Sequence, residues 1–103
     1  MVLLVLSTFP DADTAGGVIR SLVEEKLVVC GNIIPGVRSI YAWEGKIEDT
    51  SEVLVVLKTS GPVFAKLEKR LAKLHPYDIP SIVAFEAGAA SRPYAKWVED
   101  YLG

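Results

Sequence analysis

The chain has 103 residues, 50% of them hydrophobic and 23% charged, with a net charge of −2, which describes one globular domain, 1–103, with a single core. Its acidic balance argues against a dedicated nucleic-acid binder, whose affinity rests on Lys and Arg neutralising phosphates. One cysteine, Cys30, excludes an internal disulfide.

The opening run MVLLVLSTF has no basic leader and is too short for a signal-peptide core or a membrane span. It reads as a first strand, with Val2 to Leu6 buried on both faces. Together with the lone cysteine this gives the expectation of a cytoplasmic protein with no membrane partner and no nucleic-acid partner. Pro10 and Asp11 then open a helix, with Asp11 as N-cap. Ala15, Val18, Ile19, Leu22 and Val23 recur at helical spacing, while Arg20, Glu24 and Glu25 face away. Gly16 and Gly17 each cost this helix about 1 kcal/mol relative to Ala, and close packing onto the sheet is the expected reason.

Two strands follow, joined by a tight hairpin whose tip is Glu44-Gly45. Val37, Ser39, Tyr41 and Trp43 share one face of the first arm; Arg38, Ile40, Ala42 and Glu44 share the other. Pro35 has no N–H for a ladder bond, so it marks a kink, a bulge or an edge. On the second arm Val53 to Leu57 is unbroken and apolar, which predicts burial on both sides. The arms, Ile33 to Glu44 and Ile47 to Lys58, would each extend about 40 Å at ~3.3 Å per residue. The first and last strands can cover only about half of that length. The distal hairpin is therefore expected to expose unpaired edges carrying Ile40, Tyr41, Trp43 and Ile47. Aromatic residues are enriched at interfaces, so the hairpin is expected to pair with other copies in a closed ring.

Ser60-Gly61-Pro62 starts a second helix, with Pro in the first turn and a stripe of Phe64, Leu67, Leu71 and Leu74. Pro76 stops it. Ile82 to Phe85 is a short last strand. Ser91 caps a final helix in which Tyr94, Trp97, Val98 and Tyr101 repeat on one face. The order β-α-β-β-α-β plus a helix is the α+β, ferredoxin-like arrangement: one antiparallel sheet with two helices on one face, an extra C-terminal helix and a long central hairpin.

Little catalytic chemistry is encoded. No GxSxG, CxxC, HExxH, GxGxxG or GxxxxGK pattern occurs, so no enzymatic activity and no required cofactor are expected. One His and one Cys cannot close a tetrahedral N/S zinc site within one chain. His75 lies between the second helix and the last strand; it is either a ligand or base, or a structural polar residue at a helix end. Cys30 reads as a small hydrophobe at a strand start. Lys58 either snorkels to solvent or supplies positive charge to a pocket.

CGNIIPGVRSIYAWEGKI, EVLVVLKT and LHPYDIPSIVAF, in this order and spacing, resemble the CutA (divalent-cation tolerance) proteins, and the resemblance runs through nearly the whole chain. It implies a tight homotrimer joined through the long hairpin, and a role in tolerance of copper and other divalent cations. Some bacterial members carry a cysteine on the first strand and a double histidine before Pro-Tyr, the copper ligands proposed there. Here those positions hold Ser7 and Leu74, leaving His75 as the one candidate ligand for Cu(II) or another divalent cation, at weak affinity. Family members usually also have Glu where this chain has Ser81. A second candidate site is an intersubunit cleft where Cys30, Tyr41, Trp43, Lys58, His75 and Tyr77 could gather.

Three other classes share the element order. RNA-recognition modules stack bases on aromatics of the two central strands, and VLLVLS and EVLVVLK contain none. Acylphosphatase-like enzymes need an anion-cradling loop with Arg after the first strand, where STFPDAD offers acids. PII-type trimeric proteins, which bind nucleotides or metabolites between subunits, carry a long loop between the hairpin strands, in contrast to the tight Glu44-Gly45-Lys46. A small anion held between subunits through Lys58 is the remaining alternative.

Overall fold

The apolar opening run becomes a central strand, β1 (Val2–Phe9), and the Pro10-Asp11 signal does start a helix, α1 (Ala12–Glu24). In the computed structural model, which describes residues 1–103, these are followed by β2 (Cys30–Trp43), β3 (Lys46–Ser60), a 3-10 turn at Gly61–Val63, α2 (Phe64–Leu74), β4 (Val83–Glu86) and α3 (Arg92–Leu102). The strands form one antiparallel sheet in the order β2-β3-β1-β4, the ferredoxin-like topology that the element order predicts. Asp11 caps α1, its Oδ1 accepting from the Thr14 N–H at 2.7 Å. Ser91 caps α3 through the Tyr94 N–H at 3.4 Å.

Alternation along the strands decides where the core lies. Val5 and Phe9 of β1 and Val53, Val55 and Leu57 of β3 point to one side. There they meet Ile19 and Leu22 of α1 and Leu67 and Leu71 of α2. The other side is uncovered. Leu4, Leu6, Leu54 and Val56 are only half-buried there, and Ile34, Val83 and Phe85 are exposed. Within one chain, then, β1 and β3 are buried on one face rather than on both. The third helix does not supply the missing layer: α3 packs at the end of the sheet, where Val98 meets Val2 and Val29. Trp97 is exposed, so the buried stripe of α3 is narrower than its sequence period suggests.

The helix glycines are not packing glycines. A Cβ on Gly17 would meet nothing within 4 Å, and one on Gly16 would make only an ordinary 4.0 Å contact with Ile33. Close approach occurs at Gly31 on β2 instead, where a Cβ would lie 2.8 Å from Ile19 Cγ2 and 3.0 Å from Leu57 Cδ2. That glycine lets α1 lie flat on the sheet. Gly17→Ala is accordingly expected to stabilise the fold by about 1 kcal/mol, read as a higher urea midpoint at unchanged m. A lower midpoint would contradict the open space at this position.

The hairpin outruns its neighbours. β1 pairs with β3 only from Val2↔Ser60 to Phe9↔Val53, so β3 from Lys46 to Glu52 has β2 alone beside it. At the tip both Glu44 (φ 49) and Gly45 (φ 76) are left-handed, the pattern of a two-residue type I′ turn. Pro35 and Gly36 form a bulge between Ile34 and Val37, which places the missing N–H of Pro35 where no ladder bond is lost. The outer face of the distal hairpin carries exposed Ile40 and Ile47 beside a two-pronged Arg38–Asp49 ion pair, with bonds of 2.9 and 2.6 Å.

Candidate functional site

His75 closes α2, its backbone N–H donating to the Leu71 carbonyl at 2.9 Å. Pro76 follows and forbids another turn. The imidazole turns inward, with the residue 7% exposed, and stacks on Phe9 with ring centroids 4.1 Å apart. Nε2 lies 2.9 Å from the Thr8 carbonyl oxygen, and Nδ1 accepts from the Tyr77 N–H at 3.1 Å. A carbonyl can only accept and an amide N–H can only donate, so the proton sits on Nε2 and the Nδ1 lone pair is used. Burial pushes the His75 pKa below its ordinary 6.5, against the opposing pull of the Thr8 bond and the Glu52 charge. The ring therefore ties the end of β1 to the end of α2 as a neutral group.

A metal ligand or a general base needs a free lone pair, and this ring has none to spare. Ser7 is buried and its Oγ has no hydrogen-bond partner, but a hydroxyl is a poor donor for copper beside a thiolate. No three His, Cys, Asp or Glu side chains gather anywhere in the chain. The residues of one chain thus do not make a preformed copper site.

A cavity of about 550 Å³ opens where β1 ends and β3 runs on. Ser39, Tyr41 and Trp43 reach it from β2, Thr8 from β1 and Glu52 from β3. Tyr77, Ile79 and Ser81 reach it from the loop after His75. Three of these places follow from register. Val37↔Glu52, Ser39↔Thr50 and Tyr41↔Glu48 are cross-strand pairs, so Glu52 shares the sheet face of Ser39 and Tyr41. The Tyr77 hydroxyl donates to Glu52 Oε2 at 2.5 Å. Burial, then the bond to Glu52, hold the Tyr77 phenol far above its usual pKa, so it remains a protonated donor. Glu52 itself is 8% exposed.

Of the residues singled out from sequence, Tyr41, Trp43 and Tyr77 come together here, with His75 behind Tyr77 at a ring-centroid distance of 4.9 Å. Cys30 and Lys58 do not join them within one chain. They are cross-strand partners at the opposite end of the hairpin, about 35 Å from Tyr41 along β2 at ~3.3 Å per residue. Cys30 Sγ lies 3.6 Å from the Tyr94 hydroxyl, and burial and that contact push the Tyr94 phenol up to about 12. Lys58 Nζ donates to Asn32 Oδ1. Glu52 was not legible as a site residue. Its one signal is a carboxylate placed directly before an unbroken apolar strand run.

The sequence model of the family described as CutA1 divalent ion tolerance protein matches residues 3–101. The divalent-cation tolerance protein CutA of Thermus thermophilus is 40% identical over 100 residues, covering 97% of each chain. That of Pyrococcus horikoshii is 38% identical over 97 residues, covering 94% of each. The solved structure of the Thermus thermophilus protein superposes with a TM-score of 0.95 at 40% identity, over 100% of both chains. The CutA structure from Xylella fastidiosa also gives 0.95, at 35% identity over 99% of this chain and 98% of that one. With the fold, the hairpin and the motif residues all matched along the chain, this protein belongs to the CutA1 divalent-ion tolerance family.

Proposed function

We propose that the chain works as a homotrimer in the response to copper and other divalent cations, in the cytoplasm, as a binding protein rather than an enzyme. The observation that carries the assembly is the uncovered sheet face. Leu4, Leu6, Leu54, Val56, Val83 and Phe85 form an apolar surface on one side of a sheet whose other side is fully packed. A surface of that kind marks an interaction site, and the distal hairpin beside it offers an unpaired β3 edge from Lys46 to Glu52. A closed ring of three copies covers both.

Two features support a cytoplasmic, non-catalytic role: the half-buried free thiol of Cys30, and the commitment of both His75 nitrogens to backbone groups. No helix is long and apolar enough to cross a membrane. Copper contact at His75 is weak, because it must displace the Tyr77 N–H from Nδ1 or the Thr8 carbonyl from Nε2–H, and because further donors come only from a neighbouring copy. The anion-binding alternative is disfavoured by the cleft, whose one formal charge is Glu52, with Lys58 at the far end of the hairpin.

Native mass spectrometry of the protein with and without Cu(II), beside His75→Ala, tests this reading. The expected result is a trimer that holds copper in multiples of three only at large excess, with less uptake in the variant. A monomer overturns the assembly. Equal copper uptake by the variant removes His75 from the metal reading.

A further inference from the structure

On the uncovered sheet face one row of β3 runs Lys58, Val56, Leu54, Glu52, with a charge of each sign at its ends and apolar residues between. Alternation puts the four on one side of the strand. Register assigns that side: Lys58 lies opposite Leu4 and Val56 opposite Leu6. Lys58 is half-buried, with Leu4 and Cys30 as its cross-strand neighbours, and its ammonium donates to a neutral amide, Asn32 Oδ1. Glu52 is buried, and the one hydrogen bond of its carboxylate comes from the neutral Tyr77 hydroxyl. The three ion pairs of the chain, Arg38–Asp49, Glu25–Arg70 and Lys96–Asp100, include neither residue. Nor can the two meet within one chain, since six residues of strand hold them about 20 Å apart at ~3.3 Å per residue.

We infer that Lys58 of one copy forms an ion pair with Glu52 of the next at each boundary of the ring, an inference that rests on the homotrimer proposed above. Covering the sheet face takes both the ammonium and the carboxylate out of water, a heavy penalty unless an opposite charge arrives. A ring is joined head to tail, which lets the Lys58 end of one row face the Glu52 end of its neighbour. Each copy then supplies the charge that the other lacks. The other carboxylates of the distal hairpin are weaker candidates. Asp49 is held by Arg38, and Glu48 is less buried than Glu52, with Lys46 next to it on the same side of β3. The same meeting brings Cys30 and Lys58 of one copy beside Tyr41, Trp43 and Tyr77 of the next, the intersubunit grouping expected from the sequence. It also commits Lys58 to a carboxylate rather than to a small anion.

Lys58→Met, Glu52→Gln and the double variant test the pair in dilution series read by light scattering coupled to size-exclusion chromatography, with far-UV circular dichroism as the check on folding. Met keeps most of the lysine stem, and Gln keeps an acceptor for the Tyr77 hydroxyl. Each single variant strands one charge in every boundary. It is expected to raise the concentration at which the ring half-dissociates by at least about a hundredfold. The double variant strands none and should return to within about tenfold of the unsubstituted protein. Where a single variant does not fold, recovery of the folded ring in the double variant counts as the same rescue. Three results overturn the inference: losses that add in the double variant, a single variant that dissociates like the unsubstituted protein, or rescue of Lys58→Met by Glu48→Gln as readily as by Glu52→Gln. In each of these the unsubstituted trimer stands. An unsubstituted protein that is monomeric throughout the series removes the trimer itself, and the pair with it.

Discussion

Leu6→Glu is expected to turn the assembly into folded monomers at micromolar concentration. Leu6 sits at the middle of β1 on the uncovered sheet face, paired with Val56 of β3 and Val83 of β4. It is only half-buried in the single chain. A carboxylate there can reach water in an isolated subunit, so the helix-covered core beneath it is left intact. In a ring that covers this face the same carboxylate loses water and finds only apolar neighbours, at about 3 kcal/mol or more per copy. Three symmetry-related copies multiply that to roughly 10 kcal/mol per trimer. Light scattering coupled to size-exclusion chromatography reads the subunit number, and far-UV circular dichroism checks that the fold is retained. A Leu6→Glu protein that stays trimeric would show that this face lies outside the interface and would remove the main support for the ring.

Much of this architecture was legible in the chain because it depends on local chemistry. Asp11 and Ser91 cap helices since their side chains satisfy N–H groups within their own first turns. Glu44-Gly45 makes the hairpin tip because the type I′ turn asks for two left-handed residues in succession. What escaped was set by tertiary placement. Unbroken apolar runs at Val2 to Leu6 and Val53 to Leu57 predict burial on both faces. Such runs do not say whether the second cover comes from the same chain or from another copy. Glycines in a helix advertise a cost without naming its cause, and the glycine that packs is Gly31, in a strand. The cleft was half legible. Tyr41, Trp43 and Tyr77 stood out as aromatics, but Glu52 becomes a site residue only because β1 ends at Phe9 while β3 continues past it. Cys30 and Lys58 belong to the expected cleft only across a subunit boundary, since within one chain the register sets them at the other end of the hairpin.

His75→Ala is expected to destabilise the metal-free protein by about 3 kcal/mol at pH 8, because three supports go at once. The ring leaves a cavity against Phe9. The Thr8 carbonyl and the Tyr77 N–H each lose their buried partner. The effect should also carry a pH signature. Burial holds the folded-state pKa of His75 below the ordinary 6.5, so near and below pH 6.5 the unfolded chain binds a proton that the folded chain resists. The sign follows by linkage: the stabilising contribution is complete above pH 6.5 and is lost as pH falls through the lowered folded value. The urea-derived gap between the unsubstituted protein and His75→Ala should therefore be widest at pH 8 and narrow towards pH 5. The carboxylates held low by ion pairs, Glu25 by Arg70 and Asp49 by Arg38, titrate below their ordinary 4.5 and 3.8 and leave that window clear. Both proteins must be compared at one concentration, since assembly contributes to apparent stability. A gap that stays constant from pH 5 to pH 8 would mean that the folded ring accepts a proton as freely as the unfolded one, contrary to its seat between Phe9, Thr8 and Tyr77. A residue serving only as a copper ligand would show no gap at all without metal, which separates the structural role of His75 from any role in cation tolerance.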